Sequence, residues 1–346
     1  MTRTTIKDIA KKLNISASTV SRALNNYQYV NPETRQKVQE MADQLDYQPD
    51  SLAQSLQKQR SNIIGVVVPQ VKHVFFASVV CGITDIAYRA GYTVMICQSN
   101  EDYKQEVINI QTLMRQRVAG FLISVSRATT DFNHFESAQK QGVPIVFFDR
   151  VCENIEASKV VVDDYKGAFN ATQHLIDCGY RRIAHLAGTQ DIFIGRERFR
   201  GYRDALKHNE ISFDPNLVVF CGFNEEDGVS AIDQLLSQYQ TLPDAIFAVT
   251  DPVAIGTFLR LRLLNYKIPD DIGIVGFSDN PIASLIDPPL TTVRQPAYEI
   301  GKSAAEILLD HIENNSTEIV HKVLKTELIV RKSTKSSAIL QEEGVL

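Results

Sequence analysis

At 346 residues the chain is too long for one ordinary domain, and its 44% hydrophobic and 22% charged residues are the proportions of a soluble globular protein. A formal net charge of −5 excludes a chain that binds nucleic acid along its whole length. The charge is uneven, however: residues 1–61 carry nine basic and six acidic side chains, so a head of +3 precedes a body of −8, the pattern of DNA binding confined to one end.

In chain order, Ile6, Ile9, Ala10 and Leu13 fall at helical spacing, and Thr5 with Asp8 three residues on predicts a reciprocally capped start. Asn14 tolerates the left-handed turn that ends this helix, and Ser16 can cap a second one that buries Val20 and Leu24. Two short helices joined by a tight turn form a helix-turn-helix, whose second helix fits the major groove. Ala17, Ser18, Ser21 and Arg22 are expected on the face away from Val20 and Leu24, where small residues permit close approach and one Arg can fork onto a guanine edge. Pro32 and Glu33 open a third helix with Val38, Met41, Ala42 and Leu45 inward. Pro49 stops it. Asp50 can cap a further short helix to about Gln57, whose three apolar residues are too few to hold it without a partner.

From Ile63 the pattern changes to apolar runs alternating with helical stretches: IIGVVVP, YTVMICQS, GFLISV, PIVFFD, KVVVD, IAHLAG, LVVFC, DAIFAV and IGIVGF. That alternation predicts parallel sheets covered by helices on both sides, and its extent predicts two similar α/β lobes. The last strands and helix, Thr291 to Arg331, are expected to cross back between the lobes, with ligands at the C-terminal strand ends in the cleft. The polar tail from Ser333 is expected to be disordered. The domain limits read as a DNA-binding head 1–46, a linker helix 47–61, a two-lobed core 62–332 and the tail 333–346. Cys81, Cys97, Cys152, Cys178 and Cys221 are scattered and odd in number, with no metal spacing, as for buried thiols in a reducing compartment. No secretory apolar region opens the chain and no run of about 18 apolar residues occurs, so a cytoplasmic location is expected.

The segments TIKDIAKKLNISASTVSRALN, VNPETRQKV, YQPDSLAQSL, IIGVVVP, RFRGY, VGFSDNP and PPLTTVRQP together resemble the lactose-repressor/galactose-repressor (LacI/GalR) family of transcription regulators, from Thr5 to about Arg331. The resemblance implies an α/β core of two doubly wound lobes like the type I periplasmic binding proteins, behind an all-α helix-turn-helix domain. It implies a homodimer on a pseudo-palindromic double-stranded DNA operator, acting as a repressor under a small-molecule effector, a sugar or sugar derivative. It places Ala17, Ser18 and Arg22 at bases, with Thr19, Ser21 and Asn25 nearer phosphates. Leu56 falls where the family's linker helix wedges a leucine into the minor groove, which unstacks a base step. The effector positions fall on Phe76, Asp149, Arg198, Thr250, Asp279 and Gln295, a set suited to a polyhydroxylated ligand. The chain departs from the family pattern at Asp50, Gln54, Thr250 and Ser278, and Arg196 competes with Arg198 for the cleft arginine.

Rival readings are the same DNA-binding role under a partner protein or a non-sugar metabolite and, more remotely, a transport-type sugar-binding protein. GxGxxG, GxxxxGK[ST] and GxSxG are absent and the histidines show no ligand spacing, so neither an enzyme nor a cofactor or metal is expected.

Overall fold

A computed structural model describes residues 4–24, 29–47, 61–238 and 242–336, which fall into two compact units, Met1–Ser61 and Asn62–Leu346. Asn25, Asp50, Gln54 and Leu56 lie outside the described residues, as does most of the expected linker helix.

In the first unit, α1 (Ile6–Leu13), α2 (Ala17–Leu24) and α3 (Pro32–Gln44) form around caps visible in the sequence. The Asp8 carboxylate accepts both the Thr5 N–H at 2.8 Å and the Thr5 hydroxyl at 2.7 Å. Asn14 ends α1 at φ 52°, and Ser16 Oγ accepts the Thr19 N–H at 3.1 Å to start α2. Ile9, Ala10, Val20, Ala23, Val38 and Ala42 make the small core, with Leu13, Leu24, Met41 and Leu45 packed around it. Two side chains differ from expectation. Ala23 is buried while Leu24 is only half-buried, and Ala17 also packs on the core, because it lies one turn before Val20 on the same helix face.

The second unit holds two six-stranded sheets. The first contains β1 (Ile63–Val68), β2 (Thr93–Gln98), β3 (Gly120–Ile123), β4 (Ile145–Phe148) and β5 (Ser158–Val162), with β11 (His321–Leu324) at its edge beside β5. The second contains β6 (Ile183–Gly188), β7 (Val218–Cys221), β8 (Ala245–Ala248), β9 (Gly273–Ser278) and β10 (Thr291–Arg294), with β12 (Glu327–Ile329) antiparallel to β10. The other pairings are parallel, as apolar runs buried on both faces require. Helices α4 (Val74–Arg89), α5 (Tyr103–Arg115) and α6 (Asn133–Lys140) belong to the first lobe. Helices α7 (Asp164–Asp177), α8 (Phe193–His208), α9 (Glu225–Gln238) and α10 (Asp251–Leu263) belong to the second.

The C-terminal run crosses between lobes, as expected. After β10, α11 (Ala297–Glu313) buries Ile300, Ala304, Ala305, Leu308 and Ile312 in the first lobe's core, β11 pairs with β5, and β12 returns to β10. Gly82 and Gly301 let α4 and α11 touch backbone to backbone, since a Cβ on either would enter the other helix's carbonyls.

The expectation of disorder from Ser333 is corrected for the residues described there. Ser333 Oγ donates to the Ile274 carbonyl at 2.6 Å and accepts the Thr291 N–H at 2.8 Å, and Thr334 Oγ1 lies 2.9 Å from His174 Nε2. Both residues are buried. Their small polar side chains read as solvated in the sequence, yet Ser333 satisfies main-chain groups of two buried strands and Thr334 meets the buried side chains of His174 and Thr291.

His185 is wholly buried on β6, stacked on Phe247 with centroids 4.7 Å apart, and its Nδ1–H donates to the Phe247 carbonyl at 2.8 Å. Burial pushes its pKa down to about 4. An unfolded histidine titrates near 6.5, so this group costs no stability above that pH. Between about pH 6.5 and 4 the unfolded chain takes up a proton that the folded one refuses, and stability falls by up to about 1.4 kcal/mol per pH unit. In denaturant melts from pH 7 to 5 the stability of the protein should fall relative to that of His185→Phe as the pH drops, because only the former bears this cost. Parallel curves would show that His185 does not titrate on unfolding.

Candidate functional site

Parallel strands deliver their C-terminal ends to one side of each lobe, and the segments that follow them line a cavity of about 430 Å³ in the second unit. That volume suits a small molecule. Phe76, Asp149, Arg198, Thr250, Asp279 and Gln295 all line it. So do Arg150, Phe223 and Ser278, which were not among the expected residues.

Arg198 reaches the cavity from α8, 1% exposed. Its Nε donates to Asp164 at 2.8 Å, its Nη1 to the Val249 carbonyl at 2.7 Å, and its guanidinium lies 3.7 Å from the centre of the Phe277 ring. Burial pushes the Asp164 carboxyl up to about 6 against the pull of Arg198, which leaves the pair ionised at neutral pH. Arg196, the competitor, turns away: it meets Glu153 and donates to the Gln190 and Asp191 carbonyls, and it does not line the cavity.

Asp149 follows β4 at φ 58° and is buried; its Oδ2 accepts from the Ser124 hydroxyl at 3.3 Å. Burial raises its pKa, opposed by Arg150 and Arg198. Asp279 is held differently. Burial would raise it, but hydrogen bonds from Arg331 at 2.6 Å and Arg294 at 2.7 Å outweigh that and keep its carboxyl below the usual range. Thr250 caps α10, and Gln295 Nε2 donates to the Ser278 hydroxyl at 3.0 Å. Behind them Asp251, raised by burial to about 6, accepts the Thr292 hydroxyl at 2.5 Å and the Asn280 N–H at 2.6 Å, which ties the start of α10 to the loop carrying Asp279.

Arg150 is the residue that sequence reasoning missed. Its Nη1 donates to both oxygens of Glu101, at 2.7 and 2.8 Å, and its guanidinium packs on Phe76 and Phe223, 5.9 and 4.7 Å from their centroids. Phe76 and Arg150 come from the first lobe and Phe223 from the second, so this stack spans the cleft. Its one signal in the sequence is the second charge directly after an apolar strand, in PIVFFDR. Arg150 Nε and Gln295 Oε1 are buried without a hydrogen-bond partner, one a donor and one an acceptor, on the same cavity. Among the described residues no group of three or more His, Cys, Asp or Glu side chains could hold a metal ion, and no helix is long and apolar enough to cross a membrane.

In the first unit, Ser18 and Arg22 stand exposed one turn apart on α2, with Thr19 and Ser21 half-exposed beside them and Ala17 half-buried. The Ser16, Ser18 and Thr19 hydroxyls link to one another at the start of the helix, with Ser16 Oγ 2.8 Å from each of the other two.

Residues 5–50 match the bacterial regulatory proteins of the lacI family, and residues 172–334 match the periplasmic binding protein-like domain. The ribose operon repressor of Halalkalibacterium halodurans is 34% identical over 96% of this chain and 97% of its own length. The chain belongs to the LacI family. The HTH-type transcriptional repressor PurR of Vibrio atlanticus is 33% identical over 96% of this chain and 99% of its own. Among solved structures, that of the Lac repressor dimer bound to operator and the anti-inducer ONPF aligns with a TM-score of 0.84 at 25% identity, over 97% of this chain and all of that one. This LacI-family protein is a DNA-binding transcriptional repressor, not an enzyme, with the helix-turn-helix head and the two-lobed binding-protein core that its sequence predicts.

Because Arg198 is paired out of solvent, its removal leaves the Asp164 carboxylate buried and alone. Arg198→Ala should therefore destabilise the second unit by about 3–5 kcal/mol in a denaturant melt. A loss below about 1 kcal/mol would mean that the pair is solvated in solution.

Proposed function

We propose that this repressor binds a pseudo-palindromic operator as a homodimer and answers to a sugar-like polyol held in the cleft between its lobes. The observation that carries the effector reading is that Arg150 Nε and Gln295 Oε1, both buried and without a hydrogen bond, share one cavity that also presents Asp149 and three phenyl rings. A sugar hydroxyl both donates and accepts, so it serves a mixed set of this kind, while ring C–H faces pack on aromatic rings. The similarity to a ribose operon repressor supports the same class.

For DNA, Ser18 and Arg22 are the base-facing candidates, with Ala17 close behind, and Thr19, Ser21 and Asn25 serve phosphates; Leu56 is the minor-groove wedge. The dimer is supported by exposed leucines on adjoining segments. Leu263 on α10 is 75% exposed and Leu285 is 80% exposed, and the bond from Arg262 Nη1 to the Asp287 carbonyl holds the two segments together. The likeness to a Lac repressor dimer on its operator supports both readings. The effector acts by favouring one lobe arrangement over another, which requires that it bind the two with different affinity. A DNA-binding role of this kind places the protein in the cytoplasm.

In a thermal-shift panel on the full-length protein, uncharged pentoses and hexoses should raise the melting temperature while nucleobases leave it unchanged, because only a ligand of the folded state stabilises it. A shift with nucleobases alone would replace the polyol reading. On DNA, Arg22→Ala should lose about 1–3 kcal/mol of preference at one base pair of each half-site in competition binding. An equal loss on every sequence would make Arg22 a phosphate contact instead.

A further inference from the structure

We infer that Glu101 sets the charge class of the effector: by binding the Arg150 guanidinium, it makes the cleft select an uncharged polyol and refuse phosphorylated sugars. The inference rests on the effector reading of the cavity and adds to it which sugars are admitted.

An anionic ligand needs a cation that the protein has left unspent. Arg150 and Arg198 are the two buried guanidinium groups lining the cavity, and each already faces a carboxylate, Glu101 and more distantly Asp149 (4.0 Å) for the first and Asp164 for the second. At the rim, Arg294 is shared between Asp279 and Glu327, and Arg331 takes the other oxygen of Asp279. His73 also lines the cavity, and burial, with Lys72 adding to it, lowers its pKa and so favours the neutral ring. Glu299 brings a negative charge to the first turn of α11, where a helix end would otherwise favour an anion. The start of α10 holds Asp251. The start of α4 has no acid in its first turn, but a helix end supplies only about half a unit of positive charge. Asp149 then decides the balance. Ionised, it adds to the negative charge of Glu299 and makes the cleft repel an anion; protonated, it still leaves no net positive charge there. In neither state is a cation spare.

Glu101 is the residue on which this turns. It is 12% exposed at its side chain, it does not line the cavity, and it sits at φ 60° directly after Asn100 at φ 55°. Two successive left-handed residues other than glycine are costly and persist only where surrounding contacts hold them. Here the Arg127 N–H donates to Glu101 Oε2 at 2.8 Å, and both carboxylate oxygens receive Arg150 Nη1. The carboxylate thus cancels the charge of Arg150 while its Nε, 4.0 Å from Asp149 Oδ2, makes no hydrogen bond and can donate to a hydroxyl. Without that charge only Asp149, with Oδ2 4.0 Å from Arg150 Nε, opposes it, and burial favours the neutral form of that carboxyl, so Arg150 becomes a phosphate-seeking cation.

The test uses the full-length protein with a panel of D-ribose, L-arabinose, D-xylose, D-glucose and D-galactose beside D-ribose 5-phosphate and D-glucose 6-phosphate, read by thermal shift and calorimetry. Wild type should respond to an uncharged member and to neither phosphate ester. Glu101→Gln should bind that uncharged sugar roughly tenfold more weakly and gain a response to a phosphate ester, while Glu101→Asp should keep the refusal. If Glu101→Gln does not fold, Arg150→Gln tests the same idea: it should lose the neutral sugar and still refuse the esters. A wild-type response to either ester, or unchanged selectivity in Glu101→Gln, overturns the inference. A Glu101→Gln protein weakened equally for all ligands would give Glu101 a structural role only, and would overturn it too. If no member of the panel shifts wild type, the polyol reading itself fails and this inference goes with it.

Discussion

The guanidinium of Arg198, closed in by Asp164, the Val249 carbonyl and the Phe277 ring, is the contact from which the cleft is built. A buried ion pair is a poor source of stability, since desolvating both charges roughly cancels their attraction. Here it joins α7, α8 and the end of β8 at one point, which fixes one wall of the cavity before any ligand arrives. Arg150 repeats the arrangement across the cleft, with Glu101 as its partner and phenyl rings as its support. Charges that are already paired cost little further reorganisation when an effector enters, so binding energy is available for choosing between lobe arrangements.

The backbone shows where this organisation is concentrated. Asp149, Ser278 and Asp279, all at or just after strand ends on the cavity, have φ values of 58°, 132° and 53°. Side chains other than glycine avoid this region, and residues held there gather at binding sites, where neighbouring contacts compensate the strain. At Asp279 that compensation is explicit, because Arg294 and Arg331 grip its carboxylate and Asp251 holds the next N–H.

Much of the architecture was legible in the sequence because it rests on local rules. Runs such as IIGVVV and PIVFFD, repeated between helical stretches, fit strands buried on both faces, and Asn14, Ser16 and Pro32 punctuate the head by conformational preference. The cleft positions Phe76, Asp149, Arg198 and Gln295 were legible through family resemblance. Arg150 with Glu101 was not, since the partners lie 49 residues apart and neither follows a periodic pattern. Ser333 and Thr334 were misread for a related reason: their partners, Ile274, Thr291 and His174, are remote in the chain, so their composition pointed to solvent. Thr250 kept its place on the cavity wall but spends its hydroxyl on capping α10.

The return of the chain from β10 to α11 and β11 has a consequence for biogenesis. The first lobe lacks both its covering helix, with Leu308 and Ile312, and the strand beside β5 until residues 297–324 have been made. A ribosome adding about 5–20 residues per second therefore makes the five parallel strands of the second sheet, β6 to β10, while the earlier lobe still shows an open apolar face and an unpaired strand. The lobe translated first waits for almost the whole chain, closing only just before β12 and Ser333 complete its neighbour, and its exposed flank is where a chaperone would be most useful during synthesis.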